Sequence, residues 1–161
     1  MTDNRRVHII GCAVTELDFA AVAARLGLAV STQYLEAGLH QDPGELRRRL
    51  QEAVDQASAT GRYDRLVIGY GLCGRGPVDL EARAVPLVIP RVHDCIALFL
   101  GSNLAYREQF SHCPGTYYTA AGWYERQVQP RGAAGGDAVR APLPAPDLAA
   151  LTAKYGADHA R

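Results

Sequence analysis

The sequence lacks an excess of charge of either sign. Its 17 basic and 17 acidic side chains cancel to a formal net charge of zero, so the overall charge does not favour binding to nucleic acid or to an anionic membrane surface. A long apolar run is also missing. The opening MTDNRR is polar and is not followed by the apolar core of a secretory signal, and no window approaches the roughly 20 apolar residues of a membrane span. We therefore expect a cytoplasmic protein with neither a nucleic-acid nor a membrane partner.

The four cysteines lack the close spacing of common zinc and redox motifs. Cys12, Cys73, Cys95 and Cys113 include no C-x-x-C pair, and a reducing cytoplasm disfavours a disulfide framework among them. If these residues act together, the fold has to bring them together.

Apolar patterning alternates between strands and helices along most of the chain. Short β-rich runs lie in RRVHIIGCAV, LAVSTQYL, YDRLVIGYG and AVPLVIP, and helical patterns lie in ELDFAAVAARLG, DPGELRRRLQEAVDQA and CIALFLGSNLAYREQF. This alternation predicts an α/β fold, a Rossmann-like three-layer sandwich with a mostly parallel sheet of about four to five strands. We expect one such domain over 1–128, then a flexible Gly/Ala/Pro-rich loop or linker over 129–147, and a truncated C-terminal helical segment over 148–161.

Capping residues mark the boundaries of the predicted helices. Thr15 and Asp18 have the spacing of a capping box for the first helix, which Gly27 closes. Asp42 is a good N-cap for the second helix, and Asp94 is the candidate cap of a single helix through CIALFLGSNLAYREQF.

Reactive side chains follow the ends of the predicted strands. Cys12 follows the first strand, His40 the second and Cys73 the third, while His93 and Cys95 follow the fourth. In a parallel sheet these points share the carboxyl edge, where α/β folds bind ligands. Nearby helix starts would favour thiolate over thiol through the positive end of the helix dipole. The pattern predicts a shared metal or reactive-thiol site; the alternative is that each cysteine is a small buried apolar residue.

The stretch VIGYGLCGRG contains G-x-G-x-x-G after a strand, which superficially matches the dinucleotide fingerprint. Because the residues Arg-Gly-Pro stand where a long helix would begin, we expect that the protein binds no nucleotide. We interpret Gly71 and Gly74 as backbone that comes close to a bound group. Arg75 and Arg91 each carry a planar guanidinium group that suits an anionic substrate; the alternative for each is a surface ion pair.

Aromatic residues concentrate in PGTYYTAAGWYER. Tyr117, Tyr118 and Trp123 either line a pocket or stabilise a loop that packs over the sheet edge, and we favour the second interpretation. His112 and Cys113, just before this stretch, are candidates for a second pair of ligands.

Several stretches of the chain carry specific motifs. They are DRLVIGYGLCGRG, LVIPRVHDCIALFLGS and PGTYYTAAGW, with GLHQDPGELRRRLQEAVD upstream and Gly11-Cys12 near the start. Together they resemble the domain of unknown function family numbered 1638. Some members resemble gene neighbours of corrinoid-dependent methyltransferase systems, so the resemblance implies a corrinoid or methyltransferase protein as a partner. It supports the positions Cys12, His40, Cys73, His93 and Cys95 more than any particular reaction.

The residue types at the strand ends suit metal chemistry. Three cysteines and one histidine are a common tetrahedral zinc set, and three cysteines also hold a [4Fe-4S] cluster with one open iron. We assign the metal ligands as Cys12, Cys73, His93 and Cys95, with zinc or a [4Fe-4S] cluster as the cofactor.

Three further residues are candidates for the chemistry itself. His40 and Arg91 would contact the substrate, and Asp94 would orient a ligand or cap the helix. The predicted function is a thiolate-metal transferase or lyase that acts on a small molecule, with methyl or one-carbon transfer as the reaction considered.

Two alternatives remain open at this stage. One is an iron–sulfur accessory or redox protein, and the other is a metal-free enzyme with Cys95 as nucleophile and His93 as base. A small α/β layer of this kind is also compatible with a homodimer.

Overall fold

The computed structural model of the protein describes residues 6–128. It contains a four-stranded, all-parallel sheet in the order β2-β1-β3-β4, formed by β1 (Val7–Cys12), β2 (Val30–Leu35), β3 (Arg65–Gly69) and β4 (Leu87–Val88). The α-helices of the described residues are α1 (Glu16–Leu26), α2 (Pro43–Ala59), α3 (Cys95–Phe99), α4 (Asn103–His112) and α5 (Ala121–Val128). The predicted α/β Rossmann-like sandwich with a parallel sheet is confirmed. The linker predicted over 129–147 and the helical segment predicted over 148–161 lie outside the described residues.

Helices α1 and α2 cover opposite faces of the sheet. A Cβ atom added to Gly69 would stand 2.7 Å from Cε2 of Phe19 in α1, so that face of β3 meets α1. The neighbouring Ile68 points to the other face, where it is fully buried in one cluster with Leu46 and Leu50 of α2. Within residues 6–128, none of the helices combines the length and the apolar character needed to cross a membrane.

Two of the three predicted caps near α1 and α2 are confirmed. Asp42 accepts a hydrogen bond from the backbone amide three residues later (3.0 Å), and Gly27 ends α1 with a left-handed φ of 63°. The capping box predicted at Thr15 and Asp18 is wrong. The Thr15 hydroxyl instead donates to the carbonyl oxygen of Cys12 (2.7 Å), because a 3-10 turn between β1 and α1 brings it back to the end of the strand.

The single helix predicted for CIALFLGSNLAYREQF is two helices. Asp94 caps α3 as predicted, accepting a hydrogen bond from the Ala97 amide (2.9 Å). Gly101 then takes a left-handed φ of 86°, and Ser102 caps α4 by accepting from the Ala105 amide (3.0 Å). The break occurs here because glycine tolerates the left-handed region and serine competes for helix-starting amides.

Candidate functional site

The strand order opens a crevice at the carboxyl edge between β1 and β3. The chain moves from β1 outward to β2, and from β3 outward to β4 on the opposite side. Open α/β sheets bind ligands at such a switch point. A cavity of about 30 Å³ lies there, which is room for a water molecule or a metal ion. Its lining includes Cys12, His40, Tyr70, Cys73, Cys95 and Trp123.

Three of the four cysteines come together at this cavity, each from a different chain segment. Cys12 is the last residue of β1 and is buried. Cys73 begins the 3-10 turn after β3, and Cys95 is the first residue of α3; both are half-buried. The carboxyl ends of parallel strands thus place on one cavity three thiols that are far apart in the sequence.

Backbone hydrogen bonds hold the loops of Cys73 and Cys95 side by side. The Leu72 amide donates to the carbonyl oxygen of Val92 (3.0 Å), and the Cys73 amide donates to that of His93 (3.2 Å). These bonds extend the parallel pairing of β3 and β4 beyond the strands themselves. The main chain therefore sets the relative position of the two loops.

Gly71 and Gly74 allow the loop after β3 to take this path. A Cβ atom on Gly71 would stand 2.6 Å from the Cα atom of Asp94, so the close approach predicted for this glycine is to the residue that caps α3. Gly74 has a φ of 69° and Arg75 a φ of 74°. Arg75 is exposed, and its carbonyl oxygen accepts a hydrogen bond from Arg47 Nη2 (3.3 Å).

Of the two imidazoles predicted for the site, His40 lines the cavity. It lies in the 3-10 turn Leu39–Gln41 after β2, with an exposed side chain. His93 and Arg91 are also exposed but are not part of the lining. The side chain of Asn103 holds their loop by its backbone, accepting from the His93 amide (2.9 Å) and donating to the Arg91 carbonyl (3.0 Å).

Burial governs the ionisation of two thiols. Burial is the largest cause, and together with negative charge on neighbouring thiols and on Asp94 it raises the pKa of Cys73 to about 11 and the pKa of Cys95 to about 12. The expectation that helix dipoles favour these thiolates is therefore wrong. At Cys95 a backbone hydrogen bond at the start of α3 lowers the pKa, but burial and the neighbouring negative charges outweigh it.

Two aromatic side chains complete the cavity. Trp123 lies in helix α5 rather than in the predicted loop. It lines the cavity and also packs edge to face against Phe99, with ring centroids 5.6 Å apart. Tyr70 directly follows β3, and sequence reasoning missed it. The signal in the sequence is its position near the end of the predicted strand YDRLVIGYG. In the structure β1 and β3 pair Gly11 with Gly69, and the next residues in that register are Cys12 and Tyr70.

The second candidate ligand pair lies apart from the cavity lining. His112 and Cys113 are exposed at the end of α4, and Nδ1 of His112 is 2.7 Å from the carbonyl oxygen of Glu108. Tyr117 is exposed, and Tyr118 packs against Tyr106 with ring centroids 6.1 Å apart.

The cavity does not present a preassembled metal centre. Among residues 6–128, no group of three or more His, Cys, Asp or Glu side chains is arranged to hold a metal ion. The thiols share a cavity, but in this conformation they are not gathered around one point.

Fold and site together define the class: a Rossmann-like α/β protein with a thiol-lined cavity at the carboxyl edge of its sheet. The chain belongs to the family described as Protein of unknown function (DUF1638), whose model matches residues 34–142. The predicted resemblance is confirmed. The matched range includes His40, Cys73 and Cys95 and begins after Cys12.

One curated relative has an enzyme name. A protein named thymidine phosphorylase from Burkholderia cenocepacia is 36% identical to this chain over 90 residues. The match covers 49% of this chain and 20% of that protein, so the chain spans about a fifth of the length of the curated relative it matches. No solved structure matches the chain significantly.

Proposed function

We propose that the protein binds a single metal ion, zinc in the first place, through Cys12, Cys73 and Cys95, and that it acts on a small molecule bound there. The observation that carries the proposal is that three thiols from three chain segments line one small cavity at the switch point of the sheet. Thiolate sulfur is a preferred ligand of zinc. His40 replaces His93 as the fourth candidate ligand, because it shares the lining with the thiols.

Electrostatics supports a cation among the thiols. Negative charge on one thiol raises the pKa of the next, so the three thiolates would repel one another. A divalent ion bound to the sulfur atoms would offset this repulsion. A cysteine side chain moves its sulfur by rotation about χ1 alone. Ligation therefore requires rotamer changes around an existing cavity rather than a new fold.

The same observations weigh against the two alternatives. The lining holds three cysteines and one histidine, which is a common zinc set, whereas a [4Fe-4S] cluster is ordinarily held by four cysteines. In the metal-free alternative Cys95 would be the nucleophile, but burial raises the pKa of that thiol to about 12, and the thiolate is the reactive form. His93, the base in that alternative, is exposed and is not part of the cavity lining.

The proposed reaction is the transfer of a small group, such as a methyl group, with a corrinoid or methyltransferase protein as the partner. A metal that keeps one open position binds and polarises a small substrate. Among the described residues, those lining the cavity include neither arginine nor lysine. Nothing in the site itself therefore favours assigning to this chain the activity named for the Burkholderia relative.

The metal content of the purified full-length chain tests the proposal. We expect about one zinc ion per chain by elemental analysis after zinc loading and desalting, and a loss of most of it in Cys73→Ser. The matched control is Cys113→Ser, which changes an exposed cysteine outside the cavity lining. A metal-free wild-type chain, or unchanged zinc in Cys73→Ser, would contradict the proposal, and a brown protein with a visible charge-transfer band would favour the cluster.

A further inference from the structure

Tyr70 is buried among the thiols. Only 3% of the residue is exposed, and it lines the cavity. The pairing of Gly11 with Gly69 places Tyr70 and Cys12 next to each other where β1 and β3 end. The Tyr70 side chain thus stands at the crevice where the sheet topology favours a ligand.

The hydroxyl of Tyr70 has no hydrogen bond of good geometry within the described part of the chain. The Cys12 side chain lies against this hydroxyl, and a thiol sulfur is only a weak acceptor. The phenol O–H is therefore a buried donor without a strong acceptor. Native proteins leave few buried donors without an acceptor, and a bound ligand is one explanation for such a group.

We propose that Tyr70 donates a hydrogen bond to the acceptor atom of a small anionic ligand held in this cavity. The inference deepens the proposed function and rests on it, because the metal ion would supply the positive charge that holds the anion. The cavity is narrow, with a volume of about 30 Å³. The inserted part of the ligand is therefore a single acceptor, such as a thiolate sulfur or a carboxylate oxygen, rather than a ring.

Azide binding to the cobalt-loaded full-length chain tests this assignment. Co²⁺ reports thiolate ligation in its visible spectrum, and azide is a small anion that accepts hydrogen bonds. We expect Tyr70→Phe to retain the cobalt spectrum but to raise the Kd for azide about tenfold, the loss expected for one hydrogen bond to a charged group. The matched control is Tyr118→Phe, since the Tyr118 hydroxyl is also buried without a partner among residues 6–128 but lies outside the cavity lining.

The stability of Tyr70→Phe separates a ligand-binding role from a structural one. Removal of an unpartnered buried hydroxyl should leave Tm at or above the wild-type value. A lower Tm, or a cobalt spectrum altered before azide is added, would mean that the hydroxyl serves the fold or the Cys12 sulfur, and would overturn the inference.

The remaining outcomes distinguish this inference from the proposed function. Cobalt binding by the wild type without azide binding, or with equal azide affinity in wild type and Tyr70→Phe, would overturn the inference alone. Failure of the wild-type chain to bind cobalt through thiolates would overturn the proposed metal site and this inference with it.

Discussion

At the scale of single residues, two imidazoles near the carboxyl edge differ in their access to the cavity. His40 lines it, whereas His93 lies on an exposed loop, where its backbone amide donates a hydrogen bond to the side chain of Asn103. We expect His40→Gln to weaken zinc binding by at least about tenfold, because it removes the fourth candidate ligand. His93→Gln is the matched control and should bind zinc like the wild type. Competition with a chromophoric chelator measures both, and a loss confined to His93→Gln would restore the ligand set predicted from spacing.

At the scale of elements, a glycine determines how α5 reaches the cavity. A Cβ atom on Gly122 would collide with the carbonyl oxygen of Val14, in the turn between β1 and α1. We expect Gly122→Ala to push α5 off this turn, to move Trp123 out of the cavity, and to cost about 1–3 kcal/mol in the free energy of unfolding. Trp123 is the single tryptophan of the chain, so a red shift of its emission measures the displacement.

Gly115→Ala is the matched control for the helix displacement. A Cβ atom on Gly115 meets no atom of the described residues within 4 Å, so the emission spectrum and the stability should stay close to those of the wild type. Equal emission spectra for Gly122→Ala and Gly115→Ala would show that α5 does not depend on this contact.

At the scale of the whole molecule, a buried histidine ties global stability to pH. His8 in β1 is 6% exposed, its Nδ1 lies 3.0 Å from the Ser31 hydroxyl, and its ring stacks on Tyr63. Burial lowers the pKa of His8 below the ordinary 6.5, so the unfolded chain binds this proton more readily than the folded one. The stabilisation is therefore fully present above pH 6.5 and declines as the pH falls through the lowered pKa.

We expect the free energy of unfolding in urea to be smaller at pH 5 than at pH 7, and the difference to shrink in His8→Gln. His112→Gln, which changes an exposed histidine, should retain the wild-type pH dependence. The same pH dependence in His8→Gln and in the wild type would contradict this origin.

Most of the architecture was predictable because it depends on local patterns. Alternating strand and helix patterns predicted the parallel sheet, and Asp42, Asp94 and Gly27 cap helices as their residue types indicate. Local patterns were least reliable at short elements. Strand β4 has only two residues. The helix after Asp94 breaks at Gly101 although the apolar periodicity continues there, because the backbone leaves the helical conformation.

The sequence by itself determined that cysteines and histidines follow the ends of strands and that these ends share one edge of the sheet, because the alternation of strands with helices indicates parallel strands. Only the tertiary structure decided which side chains enter the cavity. His40, Tyr70 and Trp123 line it, and His93 and Arg91 do not. The physical reason is that side-chain direction in loops depends on contacts between distant residues, such as Asn103 with the His93 backbone and Gly71 with Asp94, and a local pattern does not encode those contacts.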